Sequence, residues 1–345
     1  MAYTNIDKGS DYFETVTYTG TGAEQSISSL NFSPDLTWIK NRDTTDSHQL
    51  VDSVRGATKN LFSNLTNAEA TDAEGLKSFD TDGFTVGTRL GMNTSGESYV
   101  GWSWRGSDSS AVSNTDGSIT STVSANTTSG FSIVSYSGNS SASTVGHGLG
   151  SAPSVVLVKN RTNGTHQWTM FHKSLAVTNV LFLDTTGATF NPGDNDFQDT
   201  APTSSVFSIT GADGRVNGTG HDFIAYCFAE KKGFSKFGSY TGNGNANGPF
   251  IYCGFKPAFV IVKQTNAAGE NWFICDNKRA GYNAENNRLM PNLSTAEQLD
   301  SPIDILSNGF KARETGAKVN ASGGTYIYMA FAEEPLVGDN PATAR

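Results

Sequence analysis

Apolar positions along this chain come in short runs cut by turn residues, and one run occurs three times. A proline opens it and a lysine closes it: Pro34-Asp-Leu-Thr-Trp-Ile-Lys40, Pro153-Ser-Val-Val-Leu-Val-Lys159 and Pro257-Ala-Phe-Val-Ile-Val-Lys263. The run is continuously apolar in the third copy and nearly so in the second. That suits a strand covered on both faces, and proline can start it because the first position need not donate to the ladder. A second pattern alternates by size. Val100, Trp102 and Trp104 oppose Gly101 and Ser103; Ile224, Tyr226 and Phe228 oppose Ala225 and Cys227; Ile327, Met329 and Phe331 oppose Tyr328 and Ala330. Successive strand residues point to opposite faces. The spacing predicts a bulky face filling a sandwich core and a small face that lets another layer approach, with Tyr328 as the exception. Helix-length amphipathic periods are nearly absent, apart from a candidate turn around Ser294 to Leu299.

Other landmarks keep step. Tyr18-Thr-Gly20, Tyr136-Ser-Gly138 and Tyr240-Thr-Gly242 precede the runs; Asn93-Thr-Ser-Gly96, Asn217-Gly-Thr-Gly220 and Asn320-Ala-Ser-Gly323 follow them. Trp104, Phe228 and Phe331 each lie 11 positions past their asparagine (104−93, 228−217, 331−320). Such matching marks internal repeats, placed at 10–106, 130–232 and 234–336. Each is roughly 100 residues, large enough to bury its own core. Many short strands separated by turns predict an all-β fold of three tandem antiparallel β-sandwich (jelly-roll-like) repeat domains. Segment 107–129 has no aromatic and few large apolar residues, so it reads as a Ser/Thr-rich linker or an extended crossing segment. The second and third repeats are joined almost directly through Lys231-Lys-Gly-Phe-Ser-Lys236.

Composition narrows the function classes. The net charge is −9 and the pI about 5.0 across 345 residues, which argues against nucleic acid and anionic membrane as partners. No apolar stretch is long enough to span a bilayer, and the first residues show no basic segment followed by an apolar one. The cysteines Cys227, Cys253 and Cys275 are odd in number and form no C-x-x-C pair, so neither a disulfide framework nor a metal motif is expected.

Candidate chemistry is sparse. His48-Gln49 and His166-Gln167 occupy similar places after the lysine, where the third repeat has Asn271-Trp272; these read as turn or rim positions. His147 sits between glycines. Asp194-Asn-Asp196-Phe-Gln-Asp199 has a calcium-loop flavour but lacks the glycine and terminal glutamate of an EF-hand. Asp80-Thr-Asp82-Gly83, Asn114-Thr-Asp116-Gly117 and Asp213-Gly214 read as turns. No G-x-S-x-G elbow follows a strand, and no carboxylate pair recurs across the repeats. Lys40, Lys159 and Lys263 are expected to lay their stems on apolar surface and lift their ammoniums into water. Trp168 and Trp272 read as core residues rather than sugar platforms. No catalytic, cofactor-binding or metal-ligating residue is assigned.

Several segments resemble a largely uncharacterised family of marine bacteriophage virion proteins. They are Ala2-Tyr-Thr-Asn-Ile-Asp-Lys-Gly-Ser-Asp-Tyr-Phe13, Trp38-Ile-Lys-Asn-Arg42 and Asp52-Ser-Val-Arg-Gly-Ala-Thr58, with Val145-Gly-His-Gly-Leu-Gly-Ser-Ala-Pro153 and Asn320-Ala-Ser-Gly-Gly-Thr-Tyr-Ile-Tyr328. The resemblance implies a non-enzymatic virion surface protein, made in the host cytoplasm: a tail fibre or receptor-binding adhesin. Its partners would be other virion proteins and a host glycan or receptor, and it would form a homo-oligomer, by analogy with phage fibres a trimer. A capsid decoration or head-fibre protein is the structural alternative, and a glycan depolymerase the enzymatic one. Thr185 to Ser205 and Ala280 to Leu306, where the repeats match least, are expected to be surface loops that touch partners.

Overall fold

The alternation seen in the sequence becomes antiparallel strands throughout, and the chain is all-β. The computed structural model describes residues 4–193, 196–211, 214–279, 283 and 285–334. In each landmark-bearing stretch the closing strand lies between an opening strand and the lysine strand. In the first, Ser98–Trp104 pairs with Phe13–Thr19 and Leu36–Asn41; in the second, Asp222–Phe228 pairs with Phe131–Ser137 and Val155–Asn160. In the third, Thr325–Phe331 pairs with Ser235–Thr241 and Phe259–Gln264. A fourth strand, Gln49–Asp52, Thr169–His172 or Phe273–Asp276, adds to the lysine strand each time. A separate small sheet accompanies each large one, led by Gln25–Ile27, Ser143–Gly146 and Phe250–Tyr252.

Two expectations are corrected. Segment 107–129 is the crossing segment rather than a free linker. Val112–Asn114 and Ser121–Asn126 add two strands to the second large sheet, and Ile119 bridges Val145 of the small one. Its lack of large side chains fits an edge position, where backbone hydrogen bonds rather than packing hold the strand. The unmatched segment at 280–306 is also partly strand, over Glu285–Arg288 and Gln298–Leu306, and no helical turn forms at Ser294.

The facing of the closing strand is reversed from expectation. Its small face meets the small sheet: a Cβ on Gly101 would stand 3.3 Å from the Phe84 ring. Its bulky face points to a common centre. There Trp104 lies 6.2 Å from Phe228 and 5.7 Å from Phe331, and Phe228 lies 5.6 Å from Phe331, between ring centroids. All three are buried, as expected, but in one shared core instead of three private ones. The reason is area. Three sheets that close on one another need their largest side chains where they meet, and alternation alone does not say which partner each face finds. The apolar cavity left among Leu36, Trp104, Leu157, Phe228, Ile261 and Phe331 is about 30 Å³, room for roughly one water-sized sphere. Tyr328 is accommodated on its small face because Gly238 stands opposite it on the neighbouring strand and Phe310 takes it edge-on at 5.3 Å.

Candidate functional site: anchored loop clusters and the seams beneath them

The landmark residues build one device three times. Asn93, Asn217 and Asn320 are completely buried. Each side-chain oxygen accepts the backbone N–H just past the Tyr-x-Gly turn, from Thr21 (2.8 Å), Asn139 (2.9 Å) and Asn243 (2.8 Å). Each amide then donates to carbonyls of that loop, those of Ala23, Ser141 and Asn245. The turn glycine is required by proximity: a Cβ on Gly20, Gly138 or Gly242 would fall within 2.1–2.4 Å of a backbone oxygen in the asparagine loop. Tyr18, Tyr136 and Tyr240 stack on Tyr99, Phe223 and Tyr326 and donate to the carbonyls of Met92, Val216 and Val319 at 2.7–2.8 Å. Two loops per repeat are thereby locked together at the end opposite Trp104, Phe228 and Phe331. The surface they offer is rich in Asn, Ser, Thr and Gly, with exposed Ser95, Ser141 and Asn245 among the tips.

Beneath the loops, each repeat grips a neighbour. The carbonyl of Arg42 accepts from Glu297 N–H, that of Arg161 from Glu69, and that of Thr265 from Thr189, at 2.8–2.9 Å. The first repeat therefore touches the third, the second the first, and the third the second. A side chain repeats the grip. His48 Nε2 donates to the carbonyl of Met290 (3.1 Å), Trp168 Nε1 to that of Phe62 (2.8 Å) and Trp272 Nε1 to that of Phe182 (3.0 Å). Strand register makes His48, Trp168 and Trp272 equivalent, which corrects the matching of His48 with His166; the loop after the lysine differs in length between repeats. His48 is buried rather than on a rim. Trp38 Nε1 donates to its Nδ1 at 2.9 Å, so Nε2 carries the proton, and burial holds its pKa well below the usual value.

The three lysines depart most from expectation. None of Lys40, Lys159 and Lys263 reaches water; all are fully buried. Their ammoniums donate to carbonyls: Lys40 to those of Asn41 and Thr44, Lys159 to Thr66 (2.6 Å) and His166 (2.7 Å), and Lys263 to Gln264 (2.9 Å). Burial lowers each pKa from 10.5 to about 8, against the opposing pull of acids such as Asp46, Asp184 and Glu270. A lysine stem long enough to snorkel is here trapped because the neighbouring repeat closes over it.

Two seams also carry buried ions that the sequence did not announce. Glu69 takes both Arg161 (2.9 and 3.1 Å) and Arg55 (3.2 Å), and Arg55 pairs with buried Asp52. Equivalently, Glu297 takes Arg42 (3.1 and 2.8 Å) and Arg279 (2.8 Å), and Arg279 pairs with buried Asp276 at 2.6 Å. Asp52 also accepts from Tyr226 (2.8 Å) and Asp276 from Trp102 (3.0 Å), each on a different repeat. Burial resists ionisation of Glu69 and Glu297, but their arginines win and hold both pKa values below the usual carboxylate value.

The remaining candidates are engaged structurally. Asp196 pairs with Arg215 at 3.1 Å, while Asp194 and Asn195 of the calcium-like run, and Asp213, lie outside the described residues. Among the described residues, no three His, Cys, Asp or Glu side chains form a metal-binding group. Trp168 and Trp272 are core, as expected. An open depression of about 640 Å³ is lined by Phe32, Pro34, Asp35, Phe79, Arg105 and Asp108. It brings two acids together, and burial raises the Asp35 pKa. Asp35 nonetheless accepts from Ser53 (2.6 Å), Gly106 N–H (2.8 Å) and Ser124 (3.2 Å), which pins the crossing segment, and Asp108 is paired with Arg105. Both carboxylates are tied down by the chain itself.

Compared with known families, residues 8–335 match the family described as a domain of unknown function, DUF7483, and the chain belongs to it. No curated protein matches the chain.

Proposed function

Proceeding from membership of a family with no assigned activity, we propose that this chain is a non-enzymatic surface protein of a bacteriophage virion, built from three β-sandwich repeats. Its place would be a tail fibre or receptor-binding adhesin, and its partners other virion proteins and a host glycan or receptor. The phage assignment rests on the sequence resemblance. The observation that carries the binding role is the set of loop clusters anchored by Asn93, Asn217 and Asn320. Binding surfaces are commonly loops held by a rigid scaffold. Hydroxyl and amide side chains without net charge suit hydrogen bonding to sugar hydroxyls. The test is to charge the tips together, Ser95→Asp, Ser141→Asp and Asn245→Asp, leaving the buried asparagines intact. Adsorption of virions carrying the variant should fall while its melting temperature holds; unchanged adsorption sinks the receptor-binding reading.

Capsid decoration is the second reading, favoured by the way the three repeats close on one another without a shaft among the described residues. Counting copies per virion decides it, since tens to hundreds on the head exclude a tail fibre. A depolymerase would release new reducing ends from host polysaccharide, and a single acid-to-amide change would abolish that release. A homo-oligomer is part of the proposal; by analogy with phage fibres a homotrimer is the alternative to a dimer, and native mass decides between them.

A further inference from the structure

The three small sheets share one edge position and treat it in three ways. Ile27, Val145 and Ile251 are equivalent, each opposite a buried phenylalanine, Phe84, Phe207 or Phe310. In the second repeat that edge is covered by the crossing segment. Ile119 N–H donates to the Thr144 carbonyl (3.0 Å), while Thr144 N–H donates to the Ser118 hydroxyl (2.9 Å). In the first repeat the corresponding residue is Ser26, and the edge is polar. In the third repeat it is Phe250, followed on the same face by Tyr252; they are 46% and 57% exposed. The connector before this repeat is too short to supply a cover, since Phe228 ends one large sheet and Ser235 begins the next.

The backbone of this edge is presented outward. Ala312 N–H donates to the Pro249 carbonyl and Cys253 N–H to the Asn308 carbonyl, so residues 249, 251 and 253 face the neighbouring strand Gly309–Ala312. Phe250 and Tyr252 alternate with them and direct their N–H and C=O groups away from the sheet. Among the described residues, Phe250–Tyr252 is the first strand of its four-stranded sheet. An edge that is open in its backbone and aromatic in its side chains calls for a strand with matching ones.

We propose that Phe250–Tyr252 is a homodimer interface, in which two copies of this chain pair these strands antiparallel about a two-fold axis. The two-fold register places Ile251 opposite its own copy and Phe250 opposite Tyr252. Each outward-facing residue then exchanges both backbone bonds with its opposite number, and both aromatics of this edge gain a cross-strand aromatic partner, the pairing that favours sheet association. The parallel cover seen in the second repeat would leave both rings in water. The inference needs no assumption about a virion.

The experiment is sedimentation velocity of the full chain across a concentration series. The unaltered protein should dimerise. Phe250→Lys and Tyr252→Lys should each raise the dimerisation midpoint roughly tenfold or more, because each ring enters two symmetric contacts. Ser26→Lys, at the equivalent edge of the first repeat, should not move it. Unchanged melting temperatures verify that the variants fold. A protein monomeric at every concentration overturns the proposal, and so does a dimer indifferent to both edge changes.

Discussion

The seams of the first repeat with its two neighbours each bury an arginine–carboxylate pair, and among the described residues the seam between the second and third repeats has no such pair at the equivalent place. Where the ionic seams place Asp52 with Arg55 and Asp276 with Arg279, the third seam places His172 with Leu175. Strand register makes Asp52, His172 and Asp276 equivalent. His172 Nδ1 accepts from Ser174 N–H (3.1 Å), which leaves Nε2 to donate across the seam to the Tyr328 carbonyl (3.3 Å). Glu69 and Glu297 likewise give way to Thr189, whose N–H keeps the backbone grip without a charge. The same geometry is thus held with and without a buried arginine–carboxylate pair. The backbone grip and the shared aromatic centre set the architecture. The charges make two of the three contacts selective, because an uncompensated ion cannot be buried against the wrong partner.

The largest expected effect comes from breaking an ionic seam. Arg55→Met or Arg279→Met strands Asp52 or Asp276 in the interior, takes one of two arginines from Glu69 or Glu297, and should cost about 3–5 kcal/mol in chemical denaturation. Leu175→Met, at the corresponding place in the seam without arginine, should cost under about 1.5 kcal/mol. Equal losses would show that the arginines act only through packing.

Acid should separate the seams next. Burial lowers the His172 pKa to about 4. Between pH 6.5 and 4 the unfolded chain takes up a proton that the native chain refuses, so stability falls as pH drops through this window, by about 3 kcal/mol for this residue. Glu69 and Glu297, held low by arginine, withdraw their contribution only below their unfolded pKa near 4.5. In pH-dependent unfolding, His172→Gln should shrink the earlier loss, to which buried His48 and His147 also contribute, and leave the later one.

Alkali should treat all seams alike, because each buries a lysine. Between pH 8 and 10 the native chain sheds protons that the unfolded chain keeps, so raising the pH should stabilise the fold by about 2 kcal/mol per lysine. Above pH 10 the gain should be opposed by Tyr18, Tyr136, Tyr226 and Tyr240, which burial keeps protonated. Lys263→Met and Lys159→Met should shrink the rise equally; a flat profile would mean that the ammoniums find water. The smallest effect belongs to Arg161→Gln at the partly exposed rim of an ionic seam. It should cost about 1 kcal/mol or less, and that cost should diminish in high salt.

The sequence by itself determined the repeated strand pattern and where its landmarks lie. Those signals are local: alternation sets which residues share a face, proline and glycine set where strands begin and turn, and a buried asparagine must recur where the same loop recurs. The recurrence of Asn93, Asn217 and Asn320 was visible as matched spacing, although their burial and the loops they anchor were not. What only the tertiary structure decided was which partner each face meets. Val100, Trp102 and Trp104 form a bulky stripe in either reading, yet they pack against other repeats rather than their own small sheet. Lys40, Lys159 and Lys263 carry a snorkelling stem in sequence, but a neighbouring repeat seals them in. Arg55, Glu69 and Arg161 lie far apart along the chain and form one relay only once the sheets close on one another. Such pairings are settled by the desolvation of groups brought together from distant segments, a free energy that does not exist until those segments meet.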